Sequence, residues 1–446
     1  MLNFVFQGYT TTCSPCHRHC LTVLFSLVDF HKIATHCQTA LIDQCLPFWL
    51  TNACDGLGGG YFDYLTPDGK SIDANKTVAR QAEQVWAFAY LYTNIDAQPD
   101  WLDHALHGAD FLAEHAHNSQ MGCYTYLDRL GNPAATPATT QLLVYDPLTG
   151  ARVAAAYAQI HQATGDDQWA MLAKQTFQAT LRHYQTTREA LLNTSPDHLQ
   201  PLRHLSQPVA LLRALVDARS LFATTDWKEA TEPLLDEILT EFLDKRHDTL
   251  REYVGMGGAF SNTPEGRRIA TGLTMDAASL LIDVGTLLGN RRLTLQATNW
   301  SLRTCEWAWP SRAEGRTEAR TDDRQGLVRW LDWKDQPVAF EGDTQRLAAD
   351  HLLALAALTN GYWHTRHPEA PRWIKRIYEY TFQHFPDTRP ATSWHWGITS
   401  QQQPVSPFKA TADTGCYALV RGLATTWQHL DQCALLQPVG LRGVGV

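Results

Sequence analysis

The sequence predicts an all-α protein in which six helical hairpins close into a double ring, with short strands in the loops at its mouth. Three observations predict it. Helix-like stretches end at an aromatic residue six times, near Phe48, Phe111, Phe177, Phe242, Trp307 and Phe385. The interval is roughly 65 residues for the first five and longer for the last, room for two helices and their connections at ~1.5 Å rise per residue. Apolar residues recur every three to four positions within the stretches. Between them lie polar loops in which glycines and aromatics mix. A closed ring of this kind has an inner layer, an outer layer and one loop-lined mouth, where a small-molecule site would sit.

The elements follow in order. His31 to Leu50 reads as a helix with Ile33, Cys37, Leu41 and Cys45 on one side. Gly56-Leu-Gly58-Gly59-Gly60-Tyr61-Phe62-Asp63-Tyr64 then breaks the helix, and its alternating aromatics suggest a short strand. It lacks the lysine-serine end of a phosphate loop. Thr77 to Tyr92 is helical, with Val78, Ala82, Val85 and Ala89 on one face and Glu83 near the seam. His104 to His115 reads as the next helix. Met121 to Gly131 repeats the first loop in outline. Ala151 to Thr164 and Trp169 to Tyr184 make a hairpin, stopped between them by Gly165-Asp166-Asp167. Pro208 to Ser220 and Trp227 to Leu243 make another. Thr274 to Leu288 and the aromatic-rich Asn299 to Trp309 come next, then a densely charged segment, Ser311 to Gln325, read as a long exposed loop. The very apolar Leu347 to Leu358 fits an inner layer. Trp373 to Phe385 is amphipathic, and Ala412 to His429 closes the ring.

Composition bounds the function. With 44% hydrophobic and 19% charged residues, the 446-residue chain reads as a compact globule. No internal linker divides residues 30–440, which read as one domain. A net charge of -9 argues against a general nucleic-acid binder. No run is apolar for the ~18 residues a membrane helix needs. The ten cysteines are scattered rather than clustered, and a domain of this size needs no disulfide staples, which favours a reducing, cytoplasmic setting. Residues 1–29 read as a disordered extension. Their Cys13-Ser-Pro-Cys16-His17-Arg-His19-Cys20 run lacks the distant ligands of a zinc site. A monomer or homodimer is expected.

Gly59-Gly-Tyr-Phe-Asp63, Asp68-Gly69, Lys76 and Gln81-Ala-Glu-Gln-Val-Trp86-Ala-Phe88-Ala-Tyr-Leu-Tyr92 resemble the N-acylglucosamine 2-epimerase family. That family includes cellobiose 2-epimerases and mannose- or sulfoquinovose-type isomerases. The resemblance continues through Cys123–Asp128, Ala158–Asp166, Phe242–Asp244, Leu250–Glu252 and Gly272–Asp276, and more weakly through Phe408-Lys409 and Tyr417–Arg421. It implies an (α/α)6 barrel with a central sugar pocket. It also implies proton transfer beside the carbonyl through an enediolate, with a histidine pair as acid and base and no metal or redox cofactor. Imidazole suits that task because it titrates near neutrality. The chain departs from the pattern at telling positions. The family's arginine falls at Glu83, and its Gly-His at Gly272-Leu273, with Asp276 keeping the acid. Its C-terminal histidine falls at Ala418, with Arg421 kept. Its asparagine-proline-histidine neighbourhood falls at Ser206-Gln207-Pro208, just after His204.

Nineteen histidines leave substitutes. His204 lies at a loop–helix boundary, His395 between Trp394 and Trp396 in the last loop, and His351 beside Asp350 on an inner helix. These three are the candidate proton carriers. Glu83, Trp86, Glu252, Asp276 and Lys409 are the candidate sugar-binding residues, since carboxylates and ammonium bind hydroxyls and aromatic rings stack on sugar faces. A small-molecule sugar is the expected partner. Two other functions fit the same residues: a glycoside hydrolase using Glu252 and Asp276 as its carboxylate pair, and a catalytically silent sugar binder.

Overall fold

The computed structural model describes residues 28–135, 141–192, 201–310, 325–334, 336, 340, 342 and 344–436. The expected N-terminal extension and the charged segment after Ser311 fall almost wholly outside them.

Among the described residues twelve helices build the ring. They are α1 (Phe30–Thr39, continued by Ala40–Cys45 and Leu46–Asn52), α2 (Val78–Asn94), α3 (Pro99–His115), α4 (Pro147–Thr164), α5 (Asp167–Leu192) and α6 (Ser206–Asp217). The chain continues with α7 (Thr224–Glu237, extended by Ile238–Phe242), α8 (Thr271–Leu287), α9 (Arg291–Ala308), α10 (Ala348–Thr365), α11 (Ala370–His384) and α12 (Tyr417–Leu435). Even-numbered helices pack side by side in the circuit α2–α4–α6–α8–α10–α12 and back to α2. Odd-numbered helices cover them from outside, each on the inner helix before it, except α1, which packs on α12. The first and last helices thus form the sixth hairpin and close the all-α (α/α) barrel.

Sequence explains the layering. Outer helix α11 buries one face, with Trp373, Ile374, Ile377 and Tyr380 on it, and turns Arg372, Arg376, Glu379 and Gln383 to solvent. Inner helix α10 is buried along nearly all its length, as helices covered on both sides must be. Small residues let inner helices approach: a Cβ on Gly422 of α12 would lie 2.5 Å from Leu352 Cβ of α10. Caps set several starts. The Asp146 carboxylate accepts from Thr149 N–H at 2.8 Å with Pro147 at the first position of α4, and Asn290 caps Leu293 N–H at 3.1 Å. Gly165 ends α4 in the left-handed region at φ 73°.

The short strands have a regular use. Lys76–Thr77, Arg203–His204, Arg268–Ala270 and Arg346–Leu347 each lead into an inner helix. Each pairs antiparallel with a strand from the loop after the next outer helix: Tyr126–Leu127, Tyr253–Val254, Trp330–Asp332 and Gly397–Ile398. The inner-helix N-termini are therefore tied to neighbouring loops at one end of the barrel, and that end is the mouth. Several boundaries differ from expectation, three of them instructively. Helix α5 runs fifteen residues past Phe177, so this anchor is mid-helix rather than terminal. Helix α9 begins at Arg291, well before Asn299. Helix α12 begins at Tyr417, because Thr411 and Thr414 close a turn on each other before it.

Candidate active site at the barrel mouth

A cavity of about 800 Å³ opens among the loops and first turns of α2, α10 and α12. Arg80 enters from the first turn of α2, and Arg268 from the strand before α8. Trp330 comes from the strand paired with Arg268 and Arg329 from just before it, and Leu347, Ala348, Ala349 and Leu352 from the start of α10. Trp394, His395 and Trp396 come from the last loop. Lys409, Asp413, Tyr417 and Ala418 complete the wall.

The cations are held by partners. Arg80 pairs with Glu83 at 2.5 Å. Arg268 forks onto Glu252 at 2.8 and 2.6 Å and stands over Trp330 at 4.2 Å. Lys409 Nζ is 2.7 Å from Asp387, and burial lowers its pKa. Asp387 is held well below the ordinary carboxylate range: burial opposes this, but Arg389 and Lys409 prevail. The indole N–H groups of Trp394 and Trp396 are buried without a partner among the described residues.

The three histidines have different fates. His395 lines the cavity. Its Nδ1 is 3.4 Å from Lys409 Nζ and its Nε2 is 3.6 Å from Asp387, contacts too long to lock the ring. Burial, then the Lys409 cation, lowers its pKa. His204 does not reach the cavity wall. Its Nε2 meets Glu252 Oε1 at 3.1 Å and its Nδ1 meets Ser206 Oγ at 2.5 Å, so it steadies the carboxylate that holds Arg268. His351 requires a correction as a proton carrier. It is fully buried, its Nε2 accepts from Leu327 N–H at 2.9 Å, and its Nδ1 donates to the Leu347 carbonyl at 2.7 Å. Stacked on Tyr380, with burial pushing its pKa down to about 3, it is a neutral packing residue.

The binding candidates divide as well. Lys409 is in the wall. Glu83 lies beside it, clamped by Arg80 and by Arg152 at 3.2 Å. Glu252 stands behind Arg268. Asp276 and Trp86 are in the barrel core instead. Asp276 pairs with Arg213 at 2.7 Å, and despite burial the guanidiniums of Arg213, Arg421 and Arg152 hold its pKa down. The Trp86 indole donates to Asp217 at 3.1 Å, and its ring stacks on Tyr90. Glu252 and Asp276 are thus each neutralised by different arginines, a poor arrangement for a carboxylate pair flanking one bond.

Sequence reasoning missed the arginines, Trp330, Tyr417 and the carboxyl of Asp350. Asp350 is 7% exposed, its Oδ2 has no partner among the described residues, and burial, opposed by Arg329, pushes its pKa up to about 7. A Cβ on Gly272 would overlap its Oδ1. One signal could have found two of these: Arg80 and Arg268 sit in or beside the strand–helix junctions that open inner helices.

The sequence pattern of N-acylglucosamine 2-epimerase (GlcNAc 2-epimerase) matches residues 60–416. The chain belongs to this family. N-acylglucosamine 2-epimerase of Mus musculus is 23% identical over 410 residues, 89% of this chain and 91% of the mouse protein. Cellobiose 2-epimerase from Spirochaeta thermophila superposes with a TM-score of 0.73 at 18% identity, covering 92% of this chain and 99% of that one. A D-mannose isomerase superposes at 0.72 with 16% identity, covering 88% and 97%. At such identity the structural likeness speaks to the fold, and the family match to sugar epimerase and isomerase chemistry in general. Ala418, at which the resemblance sets a histidine, presents a methyl to the cavity.

Proposed function

We propose that this protein interconverts a small sugar with its C2 epimer or its ketose, moving a proton through an enediolate. The carrying observation is the position of the cavity. It gathers His395, Lys409 and three arginines with aromatic walls at the barrel mouth of a chain in this family. Its volume is in the range of small-molecule sites. An N-acylhexosamine or a related aldose is the preferred substrate, by analogy with the mouse relative. The half-buried ring of Trp396 offers stacking surface for a pyranose. His395 is the proton carrier, because its ring lines the cavity with only long contacts to Lys409 and Asp387 and its pKa is lowered, so the neutral base is available near neutral pH. Arg268, braced by Glu252 and His204, stabilises negative charge on the substrate oxygens.

The test is product identity. Aldoses, ketoses, N-acylhexosamines and β-1,4-disaccharides are incubated with the protein, and the products are read by chromatography and NMR. A C2 epimer or ketose is expected. Release of a monosaccharide from a disaccharide would move the assignment to hydrolysis, and binding with no product to a silent binder.

A further inference from the structure

Tyr417 opens α12 and lines the cavity. Its hydroxyl oxygen accepts two guanidinium hydrogen bonds, from Arg152 Nη1 at 2.8 Å and from Arg421 Nη1 at 2.5 Å. Both arginines are anchored in turn: Arg152 Nε lies 3.2 Å from Glu83, and Arg421 Nε 3.7 Å from Asp276. The ring is fixed edge-on to Trp86 at 5.0 Å. A phenol oxygen has two lone pairs and one hydrogen. With both lone pairs facing guanidinium donors, the O–H hydrogen points away from the two arginines. No acceptor among the described residues takes it, which leaves it for a molecule that reaches past the cavity wall, of which Tyr417 is part, to the hydroxyl. A hydroxyl presented by two fixed cations is an unusual construction for packing alone, since a phenylalanine would fill the same space.

We propose that Tyr417 is a catalytic acid, protonating the carbonyl oxygen of the open-chain sugar as the enediolate forms. This rests on the epimerase or isomerase reading above. A base, His395 in that reading, takes the proton from C2. The C2–H electron pair becomes the C1=C2 π bond, and the C1=O π pair moves onto O1. The Tyr417 O–H bond breaks as its proton passes to O1, leaving a phenolate held by Arg152 and Arg421. Proton return to the opposite face of C2, with O1 handing its proton back, gives the epimer. Proton delivery to C1, with the O2 proton passing to the phenolate, gives the ketose. Tyr417 thus places an acid one residue from Ala418, where the family resemblance sets an imidazole.

The experiment compares wild type with Tyr417→Phe in deuterated water, using D-mannose, N-acetyl-D-glucosamine and cellobiose as probes. Deuterium incorporation at C2 or C1 is expected to fall ~100-fold or more in the variant, with KM changed only a few-fold. Replacing Tyr417 by 3-fluorotyrosine keeps the shape and makes the phenol more acidic, so one limb of the pH–rate profile is expected to move to lower pH. This second variant also covers the case in which Tyr417→Phe folds poorly. Exchange within a few-fold of wild type in Tyr417→Phe, or an unmoved limb with fluorotyrosine, overturns the proposal while the function reading stands. No exchange by wild type with any probe overturns both.

Discussion

His351 and His395 look alike in sequence, each beside polar or aromatic neighbours, yet their environments set opposite roles. His351 has both ring nitrogens bonded to backbone and no exposed surface. His351→Asn is expected to cost about 1–3 kcal/mol of stability through the partners it orphans, with turnover of the folded protein nearly unchanged, read by thermal denaturation and steady-state kinetics. His395→Asn is expected to do the reverse, losing ~100-fold or more in turnover with little change in melting temperature. Asp350 gives a third residue-scale expectation. Its folded pKa, about 7, lies above the ordinary carboxylate value of 3.8. Between those pH values the native state keeps a proton that the unfolded chain has released, so this group makes stability fall as pH rises. Asp350→Asn should flatten that slope and leave the protein at least as stable at pH 7. A steeper slope in the variant would refute the account of this carboxyl. None of these distinctions was legible beforehand, because burial and hydrogen-bond partners are properties of the fold.

At the scale of elements, helical periodicity carried far. The twelve helices lie on stretches that the sequence marked, and the glycine and aromatic loops fall at the mouth, where ring closure requires them. The misplacements have local causes. Phe177 lies within a helix because the stretch after it, Gln178 to Leu192, contains no proline or glycine to stop it. The Ala412 start failed because the Thr411–Thr414 turn satisfies backbone groups locally. Strand–helix junctions were the hidden regularity. They deliver Arg80, Arg268 and Leu347 to the cavity, but a two-residue strand has too short a pattern to read. Close packing between inner helices gives an element-scale expectation. Gly422→Ala would force its Cβ to 2.5 Å from Leu352, and overpacking of this kind is expected to cost about 1–3 kcal/mol in chemical denaturation. An unchanged midpoint would mean that α10 and α12 are less tightly held than described.

For the whole molecule, the sequence pattern anticipated six hairpins, and the structure shows how they close: α1 packs on α12, so the two ends of the described chain share one hairpin. Among the described residues no helix is long and apolar enough to cross a membrane. The family resemblance was legible in the first loop and helix, and the match over residues 60–416 extends it across the barrel. What stayed hidden was how this chain arranges chemistry without histidines at Leu273 and Ala418. The cavity supplies a cationic and aromatic wall with His395 and Tyr417 in it. The most direct measurement of that account is solvent deuterium incorporation into sugar probes, followed by NMR with wild-type protein. The account predicts deuterium at C2 of an aldose or C1 of its ketose, appearing with the epimer or isomer as product. Conversion to product without any deuterium entering the sugar would contradict solvent-exchangeable proton transfer, and no conversion of any probe would contradict the function itself.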